Sequence, residues 1–315
     1  MLNFLKRRAA PREAPAQRPV RISPDILKQV KRVELKTRGL VDALFSGEYR
    51  SVFKGQGMEF SEVREYISGD EVRTIDWNVT ARMNRPFVKR YIEERELTVV
   101  LALDISGSES FGTVSRFKSD MMTEFAAVIA MAAVRNNDRV GLIFFTDRVE
   151  HVVPPRKGKR HVLRIVRDLL AFLPKGKGTN LNPALEYMQR TLRQHTVIFL
   201  VSDFQDEGYE HALKVLGRRH DIVAVTLNDP AEQSLPSVGL ARMRDPETGE
   251  FLEVDTSDRR VRAAYSEHIA AELAARRRVL RRSGVDEIEL TTDGSVIEPL
   301  LKFFRTRETR ARSHR

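Results

Sequence analysis

The chain has 315 residues, enough for one large domain with a smaller attachment, and contains no cysteine; that excludes disulfides, thiolate metal centres and cysteine nucleophiles and fits a reducing cytosol. Its formal charge of +10 is carried by the ends, since residues 1–21 and 302–315 each hold six Lys/Arg against one Glu. The body between them is neutral, which argues against a broad phosphate-binding face and a specific nucleic-acid partner.

Residues 1–22, rich in Ala, Pro and Arg, read as a disordered basic tail. Their opening "MLNFLKRRAA" lacks an apolar stretch of signal-peptide length, and no later run reaches the roughly 18 apolar residues of a membrane helix. A cytoplasmic protein with at most weak peripheral membrane contact is expected. From Ser23, "SPDILKQVKRVELKTRGLVDALF" opens with a capping serine and a proline and then repeats apolar residues at helical spacing, so a helix broken near Gly39 is predicted. Residues up to 96 are charged and carry turn signals at "KGQG" and "SGDE". With the helix they make a small N-terminal α+β subdomain over 23–96. Within it Asp70, Glu71, Asp76, Arg73, Arg82 and Arg90 are candidates for an ion-pair network docking the subdomain on the sheet, and Trp77 for a core position.

The pattern then changes. "LTVVLALD" is a continuous apolar strand, followed by a helix over "RFKSDMMTEFAAVIAMAAVRNND" and the strand "RVGLIFFTD". Helices at "GKRHVLRIVRDLLAFL" and "NPALEYMQRTLRQ", the strand "TVIFLVSD", a helix near 208–219 and the strand "DIVAVTLND" continue the alternation. Strands apolar throughout are covered on both faces, so residues 97–301 are expected to form a doubly wound, mostly parallel α/β sheet. "GLARMRDPETGEFLEVDT" reads as a hairpin at an antiparallel edge of that sheet. A long Arg-rich helix over 258–282, the strand "VDEIELTT" and a short helix complete the domain, with 302–315 as a basic tail.

Ligands of open α/β sheets gather at the carboxyl ends of the strands. There the chain places "DISGS" at 104–108, "GKGTN" before the helix at 181, and "SDFQD" after the strand at 196–201. These loops supply carboxylates and hydroxyls without imidazole or thiol, the donor set of a hard cation such as Mg2+ or Mn2+. Asp104, Ser106, Ser108, Thr179 and Asp203 are the candidate ligands. Each alone reads as a strand end or helix cap. Together they resemble the metal-ion-dependent adhesion site of von Willebrand factor A domains, Asp-x-Ser-x-Ser followed by a distant Thr and a distant Asp. The resemblance implies a von Willebrand factor A-like fold, direct binding through the hydroxyls of Ser106, Ser108 and Thr179, support from Asp104 and Asp203, and one position open to a partner's carboxylate. Glu109 departs from the family pattern, which often has Met there. Asp104 is expected to face solvent, so that its replacement by Ala leaves the fold intact.

Upstream, "GQGMEFSEVREYISGDEVRTIDWNVTARMNRPFVKRYIEERE" at 55–96, running directly into the Asp-x-Ser-x-Ser strand, resembles the bacterial family called domain of unknown function 58. Its members are typically encoded beside MoxR-type AAA+ ATPases. The resemblance implies a non-enzymatic adaptor or co-chaperone with such an ATPase as protein partner.

Rival chemistries find less support. A haloacid-dehalogenase-type phosphotransferase would use Asp104 as nucleophile, but Ser106 replaces its second carboxylate. No Walker A sequence, His-Glu-x-x-His pair or Gly-x-Ser-x-Gly elbow is present. Nucleic-acid binding would rest on the tails and on "AARRRVLRR" at 274–282, a run that serves equally as a solvated face.

Overall fold

The computed structural model describes residues 28–35, 37, 59–92, 96–107, 117–176, 178–244 and 251–313. The basic segment before residue 28, the region around Gly39, Ser108 and Glu109 lie outside them. Among the described residues no helix is long and apolar enough to cross a membrane.

Residues 28–35 are helical and place the buried Val30 against the main core. The antiparallel pair β1 (Glu59–Glu65) and β2 (Phe87–Ile92) follows. Between them runs helix α1 (Trp77–Met83), capped by Asp76, whose Oδ1 accepts from the Asn78 and Val79 amides at 3.0 and 3.2 Å. Asp70 is clamped by Arg64 at 2.6 and 2.8 Å and Asp76 holds a helix end, while the side chain of Arg90 lies outside the described residues. Trp77 is not a core residue; it stands at the first turn of a seven-residue helix with 66% of its surface exposed, because Val79 and Thr80 take the inward positions.

The main domain is the α/β architecture expected. Its sheet has six strands, β3 (Thr98–Asp104), β4 (Arg139–Phe145), β5 (Val149–Arg156), β6 (Val197–Ser202), β7 (Asp221–Asn228) and β10 (Asp286–Thr291), in the spatial order β10-β7-β6-β3-β4-β5. All neighbours are parallel except β4 and β5. Alternate residues of β3 serve two cores. Val99, Leu101 and Leu103 face α2 (Lys118–Arg135), α3 (Lys159–Ala171) and α8 (Ile297–Ser313), while Val100 and Ala102 face α4 (Leu181–Thr191), α5 (Glu210–Gly217) and the end of α7 (Arg259–Arg282). Helices on both faces explain why these strands are apolar at every position.

Two expectations are corrected at the sheet's margins. The antiparallel edge is β5, returning directly from β4; Pro154 and Pro155, which lack an N–H, are tolerated only on an edge, and Gly141 of β4 makes room for them, since a Cβ there would lie 2.9 Å from Pro155 Cγ. The hairpin of β8 (Leu240–Arg244) and β9 (Phe251–Asp255) forms, but as a separate two-stranded sheet. A four-residue helix, α6 (Pro230–Gln233), precedes it. The second correction is the C-terminal basic segment, which continues α8 to Ser313. Phe303 and Phe304 anchor it, and Arg307 bridges Asp221 at 2.7 Å and Asp286 at 2.6 Å. Charges that looked like a solvated tail thus fasten the last helix to the amino ends of β7 and β10.

Candidate functional site

The sheet reverses direction between β3 and β6. From β3 the chain builds outward through β4 and β5, then returns to lay β6, β7 and β10 on the other side. In open α/β sheets the crevice at the carboxyl end of that switch point is where ligands bind. β3 ends there in Asp104 and β6 in Ser202, followed by Asp203.

Parallel pairing of Leu103 with Val201 sets Asp104 beside Ser202. The Ser202 hydroxyl donates to Asp104 Oδ2 at 2.7 Å and accepts from the Phe204 amide at 3.0 Å. Asp104 Oδ1 accepts from the Ser106 amide at 3.0 Å, and the Ser106 hydroxyl also bonds the carboxylate. Asp104 is fully buried, Ser106 and Asp203 nearly so. Burial, and after it the neighbouring Asp203 carboxylate, pushes the Asp104 carboxyl up to about 7 against the pull of the Ser202 and Ser106 bonds. The expectation of a solvent-facing Asp104 is therefore corrected: the last residue of this central strand is fully buried, with its carboxylate bonded by Ser106 and Ser202.

Asp203 sits on a strained turn. Its Oδ1 accepts from the Gln205 amide at 3.1 Å, its carbonyl accepts from Arg276 Nη1 at 3.1 Å, and the next residue, Phe204, adopts φ +57° while buried against Tyr209. A left-handed Phe costs about 1–2 kcal/mol, which the packed ring and the Arg276 clamp offset.

Thr179 comes from the loop between α3 and α4, and three bonds tie that loop to the same edge. The Gly176 amide donates to Glu150 Oε1 at 2.8 Å, the Asn180 amide to the Thr146 carbonyl at 3.1 Å, and the Leu181 amide to Asp206 Oδ2 at 2.8 Å, while Asn180 Oδ1 caps α4 by accepting from the Asn182 amide at 3.0 Å. Thr146 follows β4 directly and Asp206 lies three residues beyond Asp203. The loops carrying Asp104, Ser106, Thr179 and Asp203 are thus gathered at one end of three adjacent strands. The position of Ser108 lies outside the described residues. Gly176 is where this fastening is tightest, because a Cβ there would collide with Thr146 Oγ1 and Asp147 Oδ1. Gly176→Ala is expected to cost about 1–3 kcal/mol of stability and to displace the Thr179 loop; thermal unfolding alongside Mn2+ titration checks both, and an unaltered variant would mean the loop is not held there.

Sequence reasoning missed three contributors. Ser202 was hidden by the acid beside it, although parallel register alone sets it against Asp104. Asp206 was quoted within "SDFQD" without a role. Arg276 was read as part of a solvated basic run, yet it falls three residues after Leu273 and four before Leu280 on the inward stripe of α7.

The donor chemistry fits a hard cation. The Asp203 carboxylate adds to the cost of charging the buried Asp104, no basic side chain among the described residues acts on Asp104, and the neighbouring donors are hydroxyls. No group of three or more His, Cys, Asp or Glu that could hold a metal occurs among the described residues, so any such ion would depend on the serine and threonine oxygens.

A sequence model of the family described as "Protein of unknown function DUF58" matches residues 62–275. Mycobacterium tuberculosis (strain ATCC 25618 / H37Rv) has a relative described as "Uncharacterized protein Rv1480", 29% identical over 287 residues and covering 90% of each chain. Among solved structures, a conserved hypothetical protein, BatB from Bacteroides thetaiotaomicron, is 17% identical with a TM-score of 0.46, covering 69% of this chain and 99% of its own. The SpRpn10 VWA domain is 17% identical with a TM-score of 0.34, over 42% of this chain and 75% of its own.

Proposed function

The chain belongs to the DUF58 family, and from that premise we propose that the carboxyl edge of its sheet is a metal-dependent protein-interaction site rather than a catalytic one. The single observation that carries this reading is the pairing of two buried carboxylates, Asp104 and Asp203, at the topological switch point among hydroxyl donors. Ser106, Ser108 and Thr179 would hold Mg2+ or Mn2+ through their hydroxyls, with Asp104 and Asp203 in support. Held mostly by neutral ligands, such an ion keeps positive charge and attracts an acidic side chain of a partner. We assign that partner, by the family resemblance, to the MoxR-type AAA+ ATPases.

Burial of Asp104 and the engagement of its oxygens by Ser202 and Ser106 weigh against a nucleophilic role. The run at 274–282 offers no continuous phosphate grip either, because Arg276 is buried and Arg277 is held by Glu289 at 2.6 and 2.8 Å.

The test is retention of the ATPase on the immobilised full chain. Retention is expected with Mg2+ and not in chelator, and a Thr179→Ala variant, which removes one hydroxyl without burying a new charge, is expected to behave in Mg2+ as wild type does in chelator. Equal retention in chelator would overturn the bridging role.

A further inference from the structure

Acids cluster at the carboxyl edge, where Asp104, Asp147, Asp203, Asp206 and Asp229 lie in or just after the strand ends. Arginines cluster at the opposite edge, where α4, α5 and α7 finish and β6, β7 and β10 begin. Arg193, Arg218, Arg219, Arg281 and Arg282 are all exposed there and make no ion pair with a described residue. One basic residue per helix end complements the helix dipole. The doubled arginines after α5 and at the end of α7 exceed that need and lack the carboxylates that would neutralise them.

Within a few residues of these arginines in the chain lies the lining of a concavity of about 460 Å³, formed by His195, His220, Asp221, Asp286, Arg307 and Arg310 and by Gly217 and Gly284. That is a volume suited to a small ligand. The two aspartates do not set its sign: Asp221 spends both oxygens on Arg307, and Asp286 is shared between Arg307 at 2.6 Å and Arg310 at 3.1 Å. The lining is balanced, and the rim leaves the site positive. Among its lining residues His220 is only 4% exposed, and neither ring nitrogen reaches a hydrogen-bond partner among the described residues. Burial, and after it Arg219 and His195, lowers its pKa, so the ring is neutral, with one donor and one acceptor to offer. A buried imidazole without partners is costly unless something entering the cavity bonds it.

We propose that this groove at the amino edge of β6, β7 and β10 binds a small anion carrying more than one phosphate, its phosphates on the rim arginines and a polar group on His220. A nucleic-acid strand lying across the rim would use the arginines but leave His220 unmet, which favours the small ligand. The site stands at the far end of the strands from the Asp104 edge and does not depend on it.

The test is calorimetric titration of the full chain with inorganic tripolyphosphate at low salt in the presence of chelator, so that the carboxyl edge plays no part. Saturable binding that weakens as salt rises is expected. The pair Arg218→Ala and Arg282→Ala together should weaken it at least about tenfold, and Thr179→Ala should leave it unchanged. His220→Leu, close to histidine in volume and without the unpartnered nitrogens, should weaken binding of adenosine triphosphate severalfold without lowering the melting temperature. Absence of binding, or equal affinity in the double arginine variant, would overturn the proposal. So would tight binding of a single-stranded oligonucleotide that tripolyphosphate fails to displace, which would make the edge a nucleic-acid surface.

Discussion

Asp104→Asn is expected to make the cation-free protein more stable at pH 8 while abolishing its response to Mg2+. The carboxyl of Asp104 is pushed from 3.8 to about 7 by burial and by Asp203, a shift worth roughly 4 kcal/mol between its two protonation states. The unfolded chain releases this proton near 3.8 and the native state holds it to about 7. Stability therefore falls as pH rises through that window and stays reduced above it. Asparagine carries no charge to desolvate. It keeps a carbonyl oxygen for the Ser106 amide and turns an NH2 toward Ser202 Oγ. The expected gain at pH 8 is about 2–4 kcal/mol, or roughly 5–10 °C in melting temperature, and it should vanish near pH 4. In wild type, Mg2+ at about a hundred times its dissociation constant should recover about 2.7 kcal/mol of what the paired carboxylates cost. Thermal unfolding at both pH values, with Mg2+ and with chelator, reads all of these effects. Equal stabilisation of both proteins by Mg2+ would place the ion elsewhere.

The stability cost of this site also explains how much of it was legible. β3, β4, β6 and β7 announce themselves because strands covered on both faces are apolar at every position, and the polar residues after them could only be strand-end groups. β5 was missed because "VEHVVPPR" is an edge strand: its burial is partial and its prolines read as breakers until the neighbouring strand is known. Trp77 was misplaced because a large aromatic carries a strong prior for burial, which a short helix packed through Val79 and Thr80 does not honour. The extent of α8 was missed because charge content outweighed periodicity, although Leu300, Phe303, Phe304 and Arg307 lie on one helical face. Asp104, Ser106, Thr179 and Asp203 were readable as a spaced pattern. What orients them was not, because Ser202 acts through strand register, Asp206 through the Leu181 amide and Arg276 through the Asp203 carbonyl, none of which leaves a motif.

Arg276 is where that hidden support can be separated from simple stability. Its Nη1 donates to the Asp203 carbonyl at 3.1 Å and to Asn228 Oδ1 at 3.2 Å, while Nη2 lies 3.6 Å from Glu287 Oε1. Burial lowers the pKa of Arg276 and raises that of Glu287, with each charge offsetting part of the other's cost. Arg276→Met leaves Glu287 without its main countercharge, with only the more distant Arg277 remaining, and is expected to lose about 3 kcal/mol. Because the Glu287 pKa is raised further in that variant, part of the loss should return as pH falls and the native state takes up the proton. Arg276→Met combined with Glu287→Gln removes both buried charges and should recover most of the stability. Cation affinity should not recover with it. The Asp203 carbonyl still lacks its donor, and the left-handed Phe204, held at a cost of about 1–2 kcal/mol, is then free to relax and carry Asp203 with it. Chemical denaturation and Mn2+ titration of the two variants would therefore diverge, with stability near wild type and Mn2+ binding about tenfold weaker in the double variant. Recovery of both together would reduce Arg276 to a buried ion pair with no hold on the loop.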